Sequence, residues 1–205
     1  MKRGVLVRVV VGVVVVLLVI QNWLQGGQFN FGLSKIFSTA VLAATLVLAL
    51  WESWLWRLPL AQRMPGTPRC IRGTWRGVLT TFWVDPKTGK SPDPKTVYLV
   101  IRQSASELSV KLLTNESRSA SSFASVRLDD GSYELLYLYL NRPDSRYESR
   151  SRMHHGSTAL DLSGSPVKRL KGRYWTDRDT RGELDFTERS MKIVDDFEEA
   201  SALFR

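Results

Sequence analysis

Between Arg8 and Lys35 the chain runs for 26 residues without a charge, and between Lys35 and Glu52 for 16 more. No other feature restricts the fold as much. Val9–Ile20, inside the first run, is wholly apolar or Gly. With Arg8 snorkelling to the headgroups, Val5–Leu24 gives the roughly 20 residues that cross a bilayer as a helix. Ile36–Trp51 is a second such segment, interrupted at Glu52 and extended through Trp56. Spans of about 5–24 and 36–56 are therefore predicted. A cleaved signal peptide would use Lys2 and Arg3 as its basic start. Against it, the apolar run lacks a small-x-small cleavage site and a second hydrophobic segment follows at once.

The connection Gln25–Ser34 is uncharged, whereas Lys2, Arg3 and Arg8 precede the first span and Arg57, Arg63 and Arg69 follow the second. Positive flanks stay in the cytoplasm, so both termini are expected there. Trp23, Trp51, Trp54 and Trp56 fall at span ends, where amphipathic rings settle. Neither span has a central ionisable residue of the kind that marks an ion path, and Glu52 is expected to pair with a basic group such as Arg57. Residues 1–63 thus read as a transmembrane hairpin, 64–72 as a linker punctuated by Pro and Gly, and 73–205 as a cytoplasmic domain. The lone Cys70 offers no disulfide framework.

Past the linker the hydrophobic period becomes two. Gly73–Trp83, Val97–Gln103, Glu107–Thr114, Ser121–Leu128, Tyr133–Leu140, His154–Leu162, Lys168–Thr176 and Gly182–Glu188 read as short strands bounded by turn residues such as Asp129-Asp130-Gly131. A short helix is expected over Asp195–Phe204. The fold class predicted is a membrane-anchored all-β protein: a transmembrane hairpin followed by an antiparallel, about eight-stranded up-and-down β-barrel. Such a barrel encloses side chains or one small ligand.

Catalytic signatures are missing: there is no phosphate-binding Gly loop, HExxH, GxSxG or Cys cluster. His154 and His155 are strand neighbours on opposite faces and cannot share a metal. No catalytic residue, metal or cofactor is expected, and the chain reads as a non-enzyme. Residues 57–205 hold 25 of the 29 Lys and Arg and 19 of the 20 Asp and Glu, a net +6. The basic groups cluster in Asn141–Arg152 and Pro166–Arg181, the latter around Tyr174 and Trp175. Arginine among aromatic rings suits phosphates and bases. An anionic leaflet and a plain solvated face explain the same charges. Trp75, opening the first strand, either stacks a ligand or plugs the barrel's closed end beneath a basic group from another strand.

Two spans, a Pro-rich joint and a basic barrel carry Gly73-Thr-Trp-Arg-Gly77, His155-Gly-Ser-Thr-Ala-Leu-Asp161, Leu170-Lys-Gly-Arg-Tyr-Trp-Thr-Asp177 and Arg181-Gly-Glu-Leu-Asp-Phe186. The arrangement resembles, over essentially the whole chain, the two-transmembrane, β-strand-rich effectors of bacterial cyclic-oligonucleotide-based antiphage signalling. The resemblance implies a lipocalin-like barrel that binds a cyclic di- or oligonucleotide made by a cognate nucleotidyltransferase. It further implies homo-oligomers that disrupt the inner membrane and kill the infected cell before phage mature. The lipid bilayer is then a partner, and DNA or RNA polymers are not. A cyclic dinucleotide needs its phosphates neutralised, for which Arg76, Arg102 and Arg173 are candidates. It needs its bases stacked, for which Trp75, Tyr98, Tyr137 and Trp175 are candidates. These seven do not share one strand face. Two rival functions remain in play, a tethered lipid- or fatty-acid-binding barrel and a scaffold docking on anionic membrane.

Overall fold

The computed structural model describes residues 11–12, 15–16, 31–86, 88–148 and 151–205, with the backbone alone for 31–38 and 40. It divides into two compact units: Met1–Pro68 with Ser104–Glu107, and Arg69–Gln103 with Leu108–Arg205.

The first unit contains helix α1 (Phe31–Ser53), followed by 3-10 turns at Leu55–Arg57 and Ala61–Arg63. Pro59 and the extended Leu58 and Met64 stop the helix from continuing. Leu42, Leu46, Val47, Leu48 and Leu50 on α1 each expose half or more of their surface. Among the described residues no helix is long and apolar enough to cross a membrane. Most of the predicted span 5–24 lies outside the described residues; Val11, Gly12, Val15 and Val16 are helical. The expected partner of Glu52 needs correction. Its carboxylate accepts from the Ser104 and Ser106 hydroxyls and from the Ser106 N–H (3.1 Å), while Arg57 stacks on the Trp56 ring at 5.5 Å. Hydroxyls and an amide stabilise the carboxylate charge, and among the described residues no cation pairs with it.

The second unit is a closed antiparallel barrel. Its strands are β1 (Gly73–Thr81), β2 (Lys95–Gln103), β3 (Leu108–Leu113), β4 (Ser117–Asp129), β5 (Ser132–Pro143), β6 (His154–Ser163), β7 (Arg169–Thr176) and β8 (Arg181–Ser190). Each pairs with its sequence neighbours and β8 closes on β1. Alternate residues point inward, and Leu99, Ile101, Leu135, Leu160, Leu170, Leu184 and Phe186 make the core. Three inward glycines give the rings room. Phe186 lies on Gly77, Tyr139 on Gly156 and Tyr174 on Gly182, where an added Cβ would come within 2.6 Å of Tyr174 Cε1. Each ring covers the cross-strand glycine beside it, which seals the backbone where the sheet must curve.

Strand β4 begins at Ser117, four residues before the predicted start, because Ser117-Arg-Ser-Ala120 carries no apolar alternation to announce it. Phe82 and Trp83 fall beyond β1. Helix α2 (Phe197–Leu203) is capped by Asp196, whose carboxylate accepts from Glu199 N–H at 2.7 Å. It covers the outer face of β2, packing Val194, Ala200, Phe197 and Phe204 on Tyr98, Val100 and Leu113.

Candidate functional site

The barrel has unlike ends. The chain enters at the end where β1 begins, and there Gln103 clamps it: Gln103 Oε1 accepts from Ile71 N–H and Nε2 donates to Arg69 O, both at 2.8 Å. Ile71 O in turn accepts from Trp75 Nε1 at 2.9 Å. The Arg189 guanidinium sits 5.0 Å over the Trp75 ring and donates to Arg72 O at 2.7 Å. Trp75 has no exposed surface. Of the two roles open to it, plugging the closed end beneath a basic group is the one this geometry displays.

At the opposite end the barrel opens on a cavity of about 240 Å³. Its floor is Leu79, Val97, Leu112 and Leu184; its wall is polar, with Thr81, Ser117, Ser119, Asn141, Thr158 and Thr176 alongside Tyr139 and Tyr174. Lys95 and His154 reach the rim, and Lys95 is paired with Glu116 at 3.0 Å. His154 Nδ1 lies 3.0 Å from Arg152 O. A carbonyl only accepts, so Nδ1 holds the proton and a neutral ring leaves Nε2 an acceptor.

Burial pushes the hydroxyls of Tyr137 and Tyr139 well above the usual tyrosine range and raises that of Tyr174; for Tyr139 the neighbouring Tyr137, Tyr174 and Asp177 add to it. All three therefore stay protonated and able to donate. The Tyr137 hydroxyl faces Thr158, its cross-strand neighbour, yet among the described residues neither oxygen makes a well-formed hydrogen bond. Thr158 lines the cavity, so this hydroxyl pair borders the space that a ligand would enter. Among the described residues the mouth offers flat aromatic faces, hydroxyl and amide groups that can read a heterocycle's edge, and the Lys95 cation beside the carboxylates of Asp93 and Glu116.

The seven residues singled out from sequence do not converge. Trp75 is sealed at the closed end, and Tyr137 is buried in the interior next to the cavity. Tyr98 lies on the outer face under α2, stacked on Phe204 at 5.8 Å. Arg76 is beside it, ion-paired to Glu188 and donating to Phe204 O at 2.9 Å. Arg102 pairs with Asp195 at 2.6 Å. Arg173 and Trp175 are exposed on the outer face of β7. Strand alternation is the reason, since Trp75 and Arg76 are neighbours and so must face opposite ways. The basic segment around β7 is partly neutralised: Arg169 pairs with Asp185, and Lys171 with Glu183 at 2.9 Å. Sequence reading did not single out Lys95, Tyr139, Asn141 and Thr158, and it named Tyr174 only as a ring among the basic groups of Pro166–Arg181. The signal lay in the period of β5, where Tyr137, Tyr139 and Asn141 share the inward face.

Comparison with known proteins matches residues 67–188, nearly the whole barrel, to a family described as "Cap15, cyclic dinucleotide receptor domain". A relative, "CD-NTase-associated protein 15" of Staphylococcus schleiferi, is 26% identical over 156 residues, covering 76% of this chain and 80% of the relative.

Proposed function

We propose a function that starts from the family: this chain belongs to the Cap15 cyclic dinucleotide receptor domain family, and its barrel binds a cyclic dinucleotide as the sensing step of a bacterial antiphage effector. The observation that carries this is the open mouth, a hydroxyl- and tyrosine-lined cavity in a barrel otherwise closed and apolar. At about 240 Å³ it falls below the roughly 300–1,000 Å³ of pockets that swallow a drug-sized ligand. It suits one nucleoside. One base enters against Tyr139 or Tyr174, Asn141 and the hydroxyls read its edge, and the phosphates remain at the rim. There Lys95 exchanges Glu116 for a phosphate. A fatty-acid carrier would use the apolar floor of Leu79, Val97, Leu112 and Leu184 and leave the hydroxyl and amide groups of the wall without a role. A scaffold held to anionic lipid would rely on cations such as those of β7, where Arg169 and Lys171 are engaged with Asp185 and Glu183 and Arg173 is exposed.

The rest of the proposal concerns the membrane. The two uncharged runs anchor the protein as a two-span hairpin in the inner membrane, with both termini and the barrel in the cytoplasm. The exposed leucines of α1 support this, being apolar surface without a protein partner among the described residues. The messenger comes from a cognate nucleotidyltransferase. Its binding favours self-association, which concentrates the hairpins and disrupts the bilayer.

The test is calorimetric titration of the full chain in detergent with cyclic dinucleotides and trinucleotides. Binding of a cyclic dinucleotide is expected, weakened at least about tenfold by Asn141→Ala, the loss of one or two buried hydrogen bonds. No binding to any of them removes the sensing step. For the membrane step, cells expressing a chain with both spans exchanged for an unrelated anchor should keep their membrane potential. Depolarisation that survives the exchange removes it.

A further inference from the structure

The mouth of the barrel is a ring with a cation on either side. Lys95 opens β2 and His154 opens β6. In a closed barrel of eight consecutive strands these two positions lie half a turn apart. With strands about 4.8 Å apart and tilted by about 40°, the facing walls stand about 16 Å from each other. On the β2 side the cation is Lys95, with the carboxylates of Asp93 and Glu116 beside it. On the β6 side it is Arg178, which reaches there from the turn between β7 and β8.

Both the base and the tip of Arg178 are fixed. Asp177 N–H donates to His155 O and the Asp177 carboxylate accepts from His155 N–H, both at 3.0 Å. Arg178 N–H donates to Thr176 Oγ1 at 3.2 Å, and that hydroxyl lies 2.6 Å from Thr180 Oγ1. At the tip, Arg178 Nη1 donates to Ser151 Oγ at 3.3 Å and to Arg152 O at 3.2 Å, the carbonyl that also accepts from His154 Nδ1. Ser151, His154, Thr176 and Thr180 line the cavity, so Arg178 stands on its rim just outside the wall. A guanidinium has five N–H donors, and these two bonds occupy Nη1 alone. Among the described residues Nε and Nη2 have no partner, and Arg178 forms no ion pair with the adjacent Asp177 or Asp179, whereas Arg169 and Lys171 on β7 are paired. The edge left open is the fork that grips two phosphate oxygens at once.

We propose that Arg178 binds the second phosphate of the ligand, across the mouth from Lys95. A cyclic dinucleotide joins two nucleosides into a ring through two phosphodiesters, which stand on opposite sides of that ring. With one base in the cavity, one phosphate faces β2, where Lys95 takes it in exchange for Glu116. The other faces β6 and accepts from the open edge of Arg178. Because the guanidinium is already anchored through Nη1, the contact forms without ordering a free side chain. Two cations half a turn apart suit a ring with two phosphates, whereas a mononucleotide would leave one of them idle. The inference rests on the proposed sensing of a cyclic dinucleotide and adds to it the residue that holds the far side of the ligand.

Calorimetric titration of the full chain in detergent with cyclic di-AMP and cyclic di-GMP, at low and high sodium chloride, tests it. Arg178→Gln should weaken binding about tenfold, the loss of a charge-assisted bond, and should make the remaining affinity less sensitive to salt. Arg178→Lys keeps the charge and loses the fork, so it should retain the salt sensitivity and only part of the affinity. Combining Arg178→Gln with Lys95→Gln should multiply the two losses, because the residues serve separate phosphates. Arg178 is exposed, and unchanged melting curves will show that the barrel is intact. An Arg178→Gln chain that binds more weakly with its salt sensitivity unchanged makes the residue a prop for Ser151 and His154, which overturns the phosphate contact. Losses that do not multiply place both cations on one phosphate and overturn it too. Affinity indifferent to Arg178→Gln, while Asn141→Ala still weakens binding, overturns it and leaves the sensing step standing. A chain that binds no cyclic dinucleotide overturns both.

Discussion

The two ends of the barrel are built from the same eight strands and treat polar groups in opposite ways. At the closed end they are used up. Gln103 spends both halves of its amide on the incoming chain, Trp75 Nε1 is bonded to Ile71 O, and Thr74 donates to Lys192 O at 2.8 Å. At the mouth, Tyr137 and Thr158 are as deeply buried, and their hydroxyls face each other across the register without a well-formed hydrogen bond among the described residues. A satisfied network rigidifies, whereas an unsatisfied one waits for something to complete it. One end holds the barrel together and the other leaves it incomplete.

Breaking the closed end has the largest consequence. Trp75→Ala removes a fully buried indole, the bond to Ile71 and the surface on which Arg189 rests. A loss of about 3–5 kcal/mol is expected for such a truncation, read from urea unfolding of the full chain in detergent. A loss below about 1 kcal/mol would mean that the plug does not hold this end.

The mouth is opened more gently, by alkali. Tyr137, Tyr139 and Tyr174 keep their protons in the folded barrel at pH values where an unfolded tyrosine, at about 10, has lost its own. Their contribution to stability is complete below that pH and is lost as pH rises through the raised folded values. The melting temperature should therefore fall from about pH 10 upward. The fall should shrink in a Tyr139→Phe chain. A curve identical with and without that hydroxyl would show the ring to be in contact with water.

How far these ends could be read in advance depends on the range of the contacts. Strand alternation is local, so the eight strands, the opposed faces of His154 and His155, and the ring-on-plug role weighed for Trp75 were all legible. Barrel closure is not local. It brings Lys95 of β2, Tyr139 of β5 and Tyr174 of β7 around one mouth, and no window of sequence contains them together. The same holds for Arg76 and Arg102, read as phosphate ligands because their partners Glu188 and Asp195 lie 112 and 93 residues away. Ser117–Ala120 was hidden for another reason. Its small polar residues suit a polar rim and so imitate a turn.

The comparison narrows to a single substitution made at each end. Thr74 and Thr158 are both buried threonines on barrel strands, 0% and 2% exposed. Valine has nearly the shape of threonine, so replacing either leaves packing intact and removes only the hydroxyl. Thr74→Val strands the Lys192 carbonyl that the hydroxyl now serves, at a cost of about 1–3 kcal/mol for a buried unsatisfied group. Thr158→Val removes an oxygen that has no well-formed hydrogen bond. Its stability should change by less than about 1 kcal/mol, toward greater stability, because an unsatisfied polar atom becomes an apolar one. Affinity for the cyclic dinucleotide should move the other way, by about tenfold if the hydroxyl bonds to the ligand. Paired urea melts and titrations of the two variants read both quantities. If Thr158→Val destabilises as much as Thr74→Val, the hydroxyl at the mouth is structural, and the contrast between the two ends fails there.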